Sequence, residues 1–178
     1  FSALDSDIAV SKTNGSSDEV IALLDQSSYG VIDQNNQVVL LSKGQGDFVL
    51  MDLAAREPIL LERSGIVFDW NKEQNILLYS DGFEINYYDI EKDELILVTR
   101  SGSEIQSLTL DDEARYVIAA SKQEIVAFET RSIGKERFSA LLSDQFSQIE
   151  AIELTPDRKS IWILGETNVE GLFMKRLK

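Results

Sequence analysis

Apolar residues in this chain fall in short runs, and each run ends in a cluster of polar or glycine residues. The stretch "FDWNKEQNILLYSDGFEINYYDI" (68–90) shows the pattern: an apolar run, a polar turn, a second apolar run, Ser-Asp-Gly, and a third run. Runs this short, bounded by Asn, Asp, Ser and Gly, predict β-strands joined by tight turns rather than helices. The alternation in "EIQSLTL" (104–110) predicts a strand with mixed surroundings. "VVLLS" and "ILLYS" are continuously apolar, which predicts strands covered on both faces.

The pattern repeats. "QVVLLSKG" (37–44), "NILLYSDG" (75–82), "YVIAASKQ" (116–123) and "SIWILGET" (160–167) align on Val38, Ile76, Val117 and Ile161, at spacings of 38, 41 and 44 residues. Five residues before each anchor stands Asp33, Asn71, Asp112 or Pro156, each opening a polar turn. Asp and Asn favour turns by accepting local backbone hydrogen bonds, and Pro by presetting φ. A second strand follows each anchor strand: "FVLMDL" (48–53), "INYYDI" (85–90), "IVAFET" (125–130) and "GLFMKRL" (171–177). A further strand follows in three cases, at 58–64, 94–101 and 137–144. The strands before the turns are "YGVID" (29–33), "GIVFDW" (65–70), "EIQSLTL" (104–110) and "QIEAIEL" (148–154).

The repeating unit is thus four short strands in about 40 residues, the mark of a β-propeller blade. The predicted fold class is all-β: a β-propeller of four-stranded antiparallel blades, about four of them, forming one domain. The blades span residues 28–64, 65–103, 104–147 and a final partial one at 148–178. Leu40, Leu78, Ala119 and Ile163 are expected to lie buried between blades. Residues 1–27 hold two more strands, "DIAVSK" (7–12) and "EVIALLD" (19–25). They either close the propeller, one of them completing the last blade, or precede it as part of a further blade. The first case gives a closed ring of four. The second gives an incomplete arc of a larger propeller, completed by missing sequence or by a second copy. The chain opens at Phe1 rather than Met, as expected of a fragment or a processed product.

The turn-plus-strand pattern resembles the WD-type propeller superfamily, and within it the prokaryotic TolB-like repeats. There, a turn like Ser-Pro-Asp-Gly-Lys precedes an apolar strand. "LTPDRKSIWIL" (154–164) is the nearest match and "LTLDDEARYVIAAS" (108–121) the next. The turn glycine is missing from all four copies, and no Gly-His or Trp-Asp signature is present. The resemblance covers residues 28–177 and implies the fold. Function does not follow, because propellers carry binding modules, scaffolds and enzymes alike. It also implies a weak preference for an extracytoplasmic, cell-envelope location.

Composition narrows the chemistry. Cysteine and histidine are both absent, which excludes disulfides, Cys/His zinc sites, and triads or dyads built on histidine. Any catalysis would rest on carboxylates, Lys, Tyr or Ser. The net charge is −14: residues 1–130 carry 24 acidic and 9 basic side chains, and residues 131–178 carry 7 and 8. So acidic a surface repels phosphate backbones and excludes nucleic acid as the expected partner. No run approaches the roughly 20 apolar residues of a membrane-spanning helix.

Candidate motifs mostly read as structure. "DSD" (5–7) and "LDDE" (110–113) lack the spacing and glycine of a calcium loop, and no cofactor or metal is expected. "KGQGD" (43–47) and "SDG" (80–82) read as hairpin turns, with Gly82 supplying a positive φ. Trp162 and Tyr79 read as core between blades, and Trp70 as a packed aromatic. In a four-stranded meander the loops after the second and fourth strands leave from one face. That face is expected to gather Asp47, Asp81, Phe83, Arg63, Arg100 and Phe146. Arg63-Ser64 and Arg100-Ser101 recur 37 residues apart. Their guanidiniums either grip carboxylates on a partner or pair with nearby acids such as Glu62 or Glu104. The expected function is a non-catalytic protein-interaction or scaffold module that binds a protein or peptide. The alternative is a carboxylate-based enzyme of the glycosidase or lyase type, acting at the central channel.

Overall fold

Each predicted run becomes a strand. The computed structural model describes residues 8–13, 18–24, 27–35, 37–54, 59–111, 113–130, 139–143, 146–155, 160–167 and 172–177, with side-chain surroundings for those of them between 27 and 130 and for parts of 141–166. All the regular structure among these residues is β. Two compact units make up the chain, residues 1–64 and 65–178.

In the first unit, β1 (Ile8–Thr13) and β2 (Asp18–Leu24) pair with each other as a separate two-stranded sheet. A hairpin across a short loop costs less closure entropy than pairing with a distant segment. The rest of the unit is a four-stranded antiparallel meander: β3 (Tyr29–Gln34), β4 (Val38–Lys43), β5 (Asp47–Asp52) and β6 (Ile59–Ser64). Both parities of β4, Val38 with Leu40 and Val39 with Leu41, are buried, as its unbroken apolar run required.

The second unit holds three sheets. One runs β7 (Val67–Asn71), β8 (Ile76–Ser80), β9 (Glu84–Asp89), β10 (Glu94–Arg100), and the next runs β11 (Ile105–Leu110), β12 (Tyr116–Ser121), β13 (Ile125–Glu129), β14 (Ser139–Ser143). The last has three strands, β15 (Phe146–Leu154), β16 (Ile161–Thr167) and β17 (Leu172–Leu177). β11 lies against β7 on one side and β15 on the other, so the first strands of successive sheets stand side by side, as in a propeller.

Side-chain alternation builds the core. Val117 and Ala119 of β12 point back into a cluster with Ile76, Leu78, Ile85 and Tyr87 of the preceding sheet. Ile118 and Ala120 point forward into a cluster with Phe146, Ile149, Ile152, Ile161 and Ile163 of the next. Polar bridges accompany this packing. The Asp69 carboxylate accepts hydrogen bonds from the Thr109 hydroxyl (2.9 Å) and the Leu110 N–H (3.0 Å), joining β7 to β11. The Ser107 hydroxyl accepts from the Ile152 N–H (3.1 Å) and donates to its carbonyl (3.3 Å), joining β11 to β15.

The repeat alignment needs one correction. Ile76 and Leu78 face the following sheet, whereas Val117 and Ala119 face the preceding one. The structural counterpart of Ile76 is therefore Tyr116, 40 residues on rather than 41. The turns agree: Asn71 Oδ1 accepts the Gln74 N–H, and Asp111 Oδ1 accepts the Tyr116 N–H. A one-residue slip flips a strand's faces, and strands apolar on both faces carry no pattern that would reveal it. In the first unit Asn35 caps the turn, accepting the N–H groups of Gln37 and Val38. The Pro156 turn lies outside the described residues. Trp162 also departs from expectation. It is 38% exposed, because period two puts it on the face opposite Ile161 and Ile163, whereas Tyr79 is buried as expected. Trp70 is partly buried, with the Lys72 ammonium 5.6 Å from its ring centre.

The missing turn glycine leaves a mark. Asn75 and Ala114 occupy the turns with φ of 52° and 54°, a region costly for a residue with a Cβ and least so for Asn. Ala114→Gly is expected to raise stability by about 0.5–1 kcal/mol in chemical denaturation. A loss would mean that the methyl's contacts with the core outweigh the strain.

Leu40, Leu78, Ala119 and Ile163 are all at most 2% exposed. Leu78→Asp places an unpaired charge in the dry cluster between two sheets and is expected to cost about 4 kcal/mol or more, abolishing the cooperative thermal transition. A melt near the parent temperature would contradict the packing described.

Candidate functional site

The meander sends the loops after its second and fourth strands to one end of each sheet. In the second unit these are residues 81–83, 101–104 and 122–124. Asp81 organises the first: its Oδ1 accepts the N–H of Phe83 (2.9 Å) and of Glu84 (2.8 Å). These bonds, Glu84's first, hold the Asp81 carboxyl below its usual value, with slight burial opposing them. Gly82 takes φ +105°, which an L side chain adopts only under strain. The Ser80 hydroxyl accepts the Gly82 N–H.

Backbone hydrogen bonds then tie the loops together. The Ser101 N–H donates to the Phe83 carbonyl (2.7 Å), and the Ile105 N–H to the Gly82 carbonyl (2.6 Å). The Ile66 N–H donates to the Ser80 carbonyl (2.8 Å), and the Ile149 N–H to the Lys122 carbonyl (2.7 Å). A Cβ placed on Gly82 would lie 3.5 Å from Ile66 Cδ1 and 3.8 Å from Glu104 Cγ, so both side chains stand over this glycine. Phe83 is 52% and Ile66 55% exposed.

Beside this apolar pair runs a groove in two parts. A cleft of about 280 Å³ has Ile105, Ala119, Val126 and Phe128 among its walls, with Arg100 and Ser101 at its edge. It adjoins a polar cleft of about 420 Å³ bounded by Glu104, Gln106, Lys122, Gln123 and Glu124. Ser103, Ser121 and Glu124 are common to both. The Ser121 N–H donates to the Glu124 carbonyl (2.9 Å), closing the tight turn that carries Lys122 and Gln123.

The expected site residues divide. Asp81, Phe83 and Arg100 come together on this face. Arg100 Nε is bonded to Glu84 Oε1 at 2.6 Å, a cross-strand ion pair between β10 and β9. Its guanidinium is therefore engaged with a neighbouring acid, though Glu84 rather than Glu104. In the first unit, Asp47 accepts the Ser64 hydroxyl (2.7 Å), Arg63 donates to the Glu62 carbonyl (2.7 Å), and Lys43 pairs with Glu62. Phe146 is a correction. It is 3% exposed in the core with Ile149 and Ile163, because β15 begins at Phe146 and points it inward. Ile66 and Glu124 fall outside the residues expected from the sequence, and Glu104 enters there only as an acid beside an arginine. Ile66 lies between Gly65 and a strand start, and its outward placement depends on the loop bonds. Among the described residues, no group of three or more acidic side chains could hold a metal ion. Within "LDDE", Asp111 serves the turn. The "DSD" stretch and Asp112 lie outside the described residues.

No protein-family profile matches the chain, and no curated protein matches its sequence. Solved structures do resemble it. Hsv2 of Kluyveromyces lactis is 13% identical with a TM-score of 0.58, covering 83% of this chain and 49% of its own. A chain of a mitotic checkpoint complex is 14% identical with a TM-score of 0.60, covering 89% and 52%. The computationally designed Ika4 protein is 12% identical with a TM-score of 0.58, covering 86% and 93%. These likenesses, with the four-stranded antiparallel sheets, establish the fold class: an all-β chain of β-propeller blades. The chain spans about half the length of Hsv2 and of the checkpoint-complex chain.

Proposed function

We propose that this chain is a non-catalytic protein-interaction or scaffold module, and that the second unit binds through its loop face. The carrying observation is the exposed pair Phe83 and Ile66, held on loops whose backbone is tied down by hydrogen bonds. Large apolar side chains left in water on a rigid support supply contact area without an ordering cost on binding. Asp81, Arg100 and Glu84 rim the pair, giving the apolar centre and polar edge of protein interfaces. The checkpoint-complex neighbour is itself part of a protein assembly, which supports the same reading. The partner is a protein or peptide; a second copy, or further blades of a longer chain, would also fit this fold. Asp47 and Arg63 mark the corresponding face of the first unit. The finer likeness to TolB-like repeats, with its cell-envelope preference, belongs to this proposal as well; its best match includes residues 156–159, outside the described set.

One observation favours the enzymatic alternative: Glu104 and Glu124 line the same cleft. A carboxylate pair of the glycosidase kind needs one member kept protonated by apolar surroundings. Both glutamates are exposed, among Gln and Ser side chains and beside Lys122, so the non-catalytic reading stands ahead.

Against a captured and purified partner, Phe83→Ala combined with Arg100→Ala is expected to weaken binding by more than about tenfold, as for central interface residues, with little change in melting temperature. Glu73→Ala with Glu113→Ala, in the turns at the opposite ends of the strands, is expected to leave binding unchanged. The reverse outcome would move the site to that face.

A further inference from the structure

The two-part groove beside Phe83 has a definite chemistry. One part has Ile105, Val126 and Phe128 on its walls, among Ser101, Ser121 and the Arg100 that Glu84 holds. The other is polar and carries Glu104 and Glu124. Neither glutamate is in an ion pair among the described residues, whereas Glu84 and Glu113 are held by Arg100 and Arg115. Lys122 is the single cation on the polar walls, so the cleft is net negative. The charge of the unit that holds the groove has the same sign, since residues 65–178 carry 21 acids against 13 bases.

We infer that this groove takes an extended peptide segment carrying an apolar residue next to a lysine or arginine. This rests on the interaction reading above and names the partner's chemistry. The apolar side chain lies against Ile105, Val126 and Phe128, where its surface leaves water. The neighbouring cation reaches the polar cleft, where Glu104 and Glu124 accept its N–H groups as charge-assisted hydrogen bonds. Gln106, Gln123 and Ser103 line the same walls with neutral hydrogen-bonding groups. An acidic peptide meets repulsion from both glutamates and from the field around them, so the groove selects by charge as well as by shape. Ile66 and Phe83 extend the apolar surface beyond the groove.

The test is a fluorescence-anisotropy titration of the full chain with three labelled peptides of equal length, alternating Leu with Lys, Leu with Glu, and Ser with Lys. The Leu–Lys peptide is expected to bind at least about tenfold more tightly than either other one, and to weaken as salt is raised. Glu104→Gln with Glu124→Gln is expected to reduce its affinity about tenfold and to flatten the salt dependence. Glu73→Gln with Glu113→Gln is expected to do neither. The inference is overturned if the Leu–Glu peptide binds as well, if the two glutamine pairs have equal effects, or if none of the peptides binds. Should the Phe83 and Arg100 variant still lose a captured partner in those cases, the interaction reading survives and only the partner's charge has been misjudged.

Discussion

A strand that is apolar on both faces cannot be covered by its own sheet. β8 and β12 are such strands, and the second unit follows from meeting their demand. The β11–β14 sheet is sandwiched between two neighbours, and residues of opposite parity on β12 enter two different cores. Burying a large aliphatic side chain is worth about 1.5–3 kcal/mol, and each cluster gathers many. Hydrogen bonds then set the sheets in place: Asp69 on Thr109 and Leu110, and Ser107 on Ile152, lie where first strands meet. Stacking also brings the Gly82 and Lys122 carbonyls to the N–H groups of Ile105 and Ile149. The loop face is thus a product of sheet packing, and its order comes from the core beneath it.

The strands were legible because their ends are written in local chemistry. Asn71, Asp111, Gly44 and Gly82 stop runs where a capping oxygen or a positive φ is needed, and the apolar stretches between them match the observed strands within a residue or two. Register between repeats was not legible. "ILLYS" and "YVIAAS" bury both parities, so alternation is silent, and it takes the folded clusters and the turn bonds of Asn71 and Asp111 to show that Ile76 matches Tyr116. The pairing of β1 with β2 was likewise open, since two apolar runs can pair with each other or with a distant edge.

Which residues share the loop face was legible, and the outward or inward placement of their side chains was not. Meander topology places Asp81, Phe83 and Arg100 at one end of the strands whatever their side chains do. Whether a side chain points out is decided by parity at the strand start. Phe146 opens β15 facing inward, while Phe83 sits in the loop before β9 and stays exposed. Glu104 and Glu124 are two acids among 31 in the sequence. What distinguishes them is a shared cleft, which arises only when β11 and β12 are paired and their loops are folded.

The central claim is that the loops are locked to the packed sheets beneath them. Native-state hydrogen exchange across a denaturant series tests it most directly. The N–H groups of Ile66, Ser101 and Ile105, which sit at loop ends yet donate to the Ser80, Phe83 and Gly82 carbonyls, are expected to exchange through the same global opening as those of β8 and β12. Fast exchange of these three, insensitive to denaturant while the strand amides remain protected, would show that the face moves independently of the core and would contradict the account.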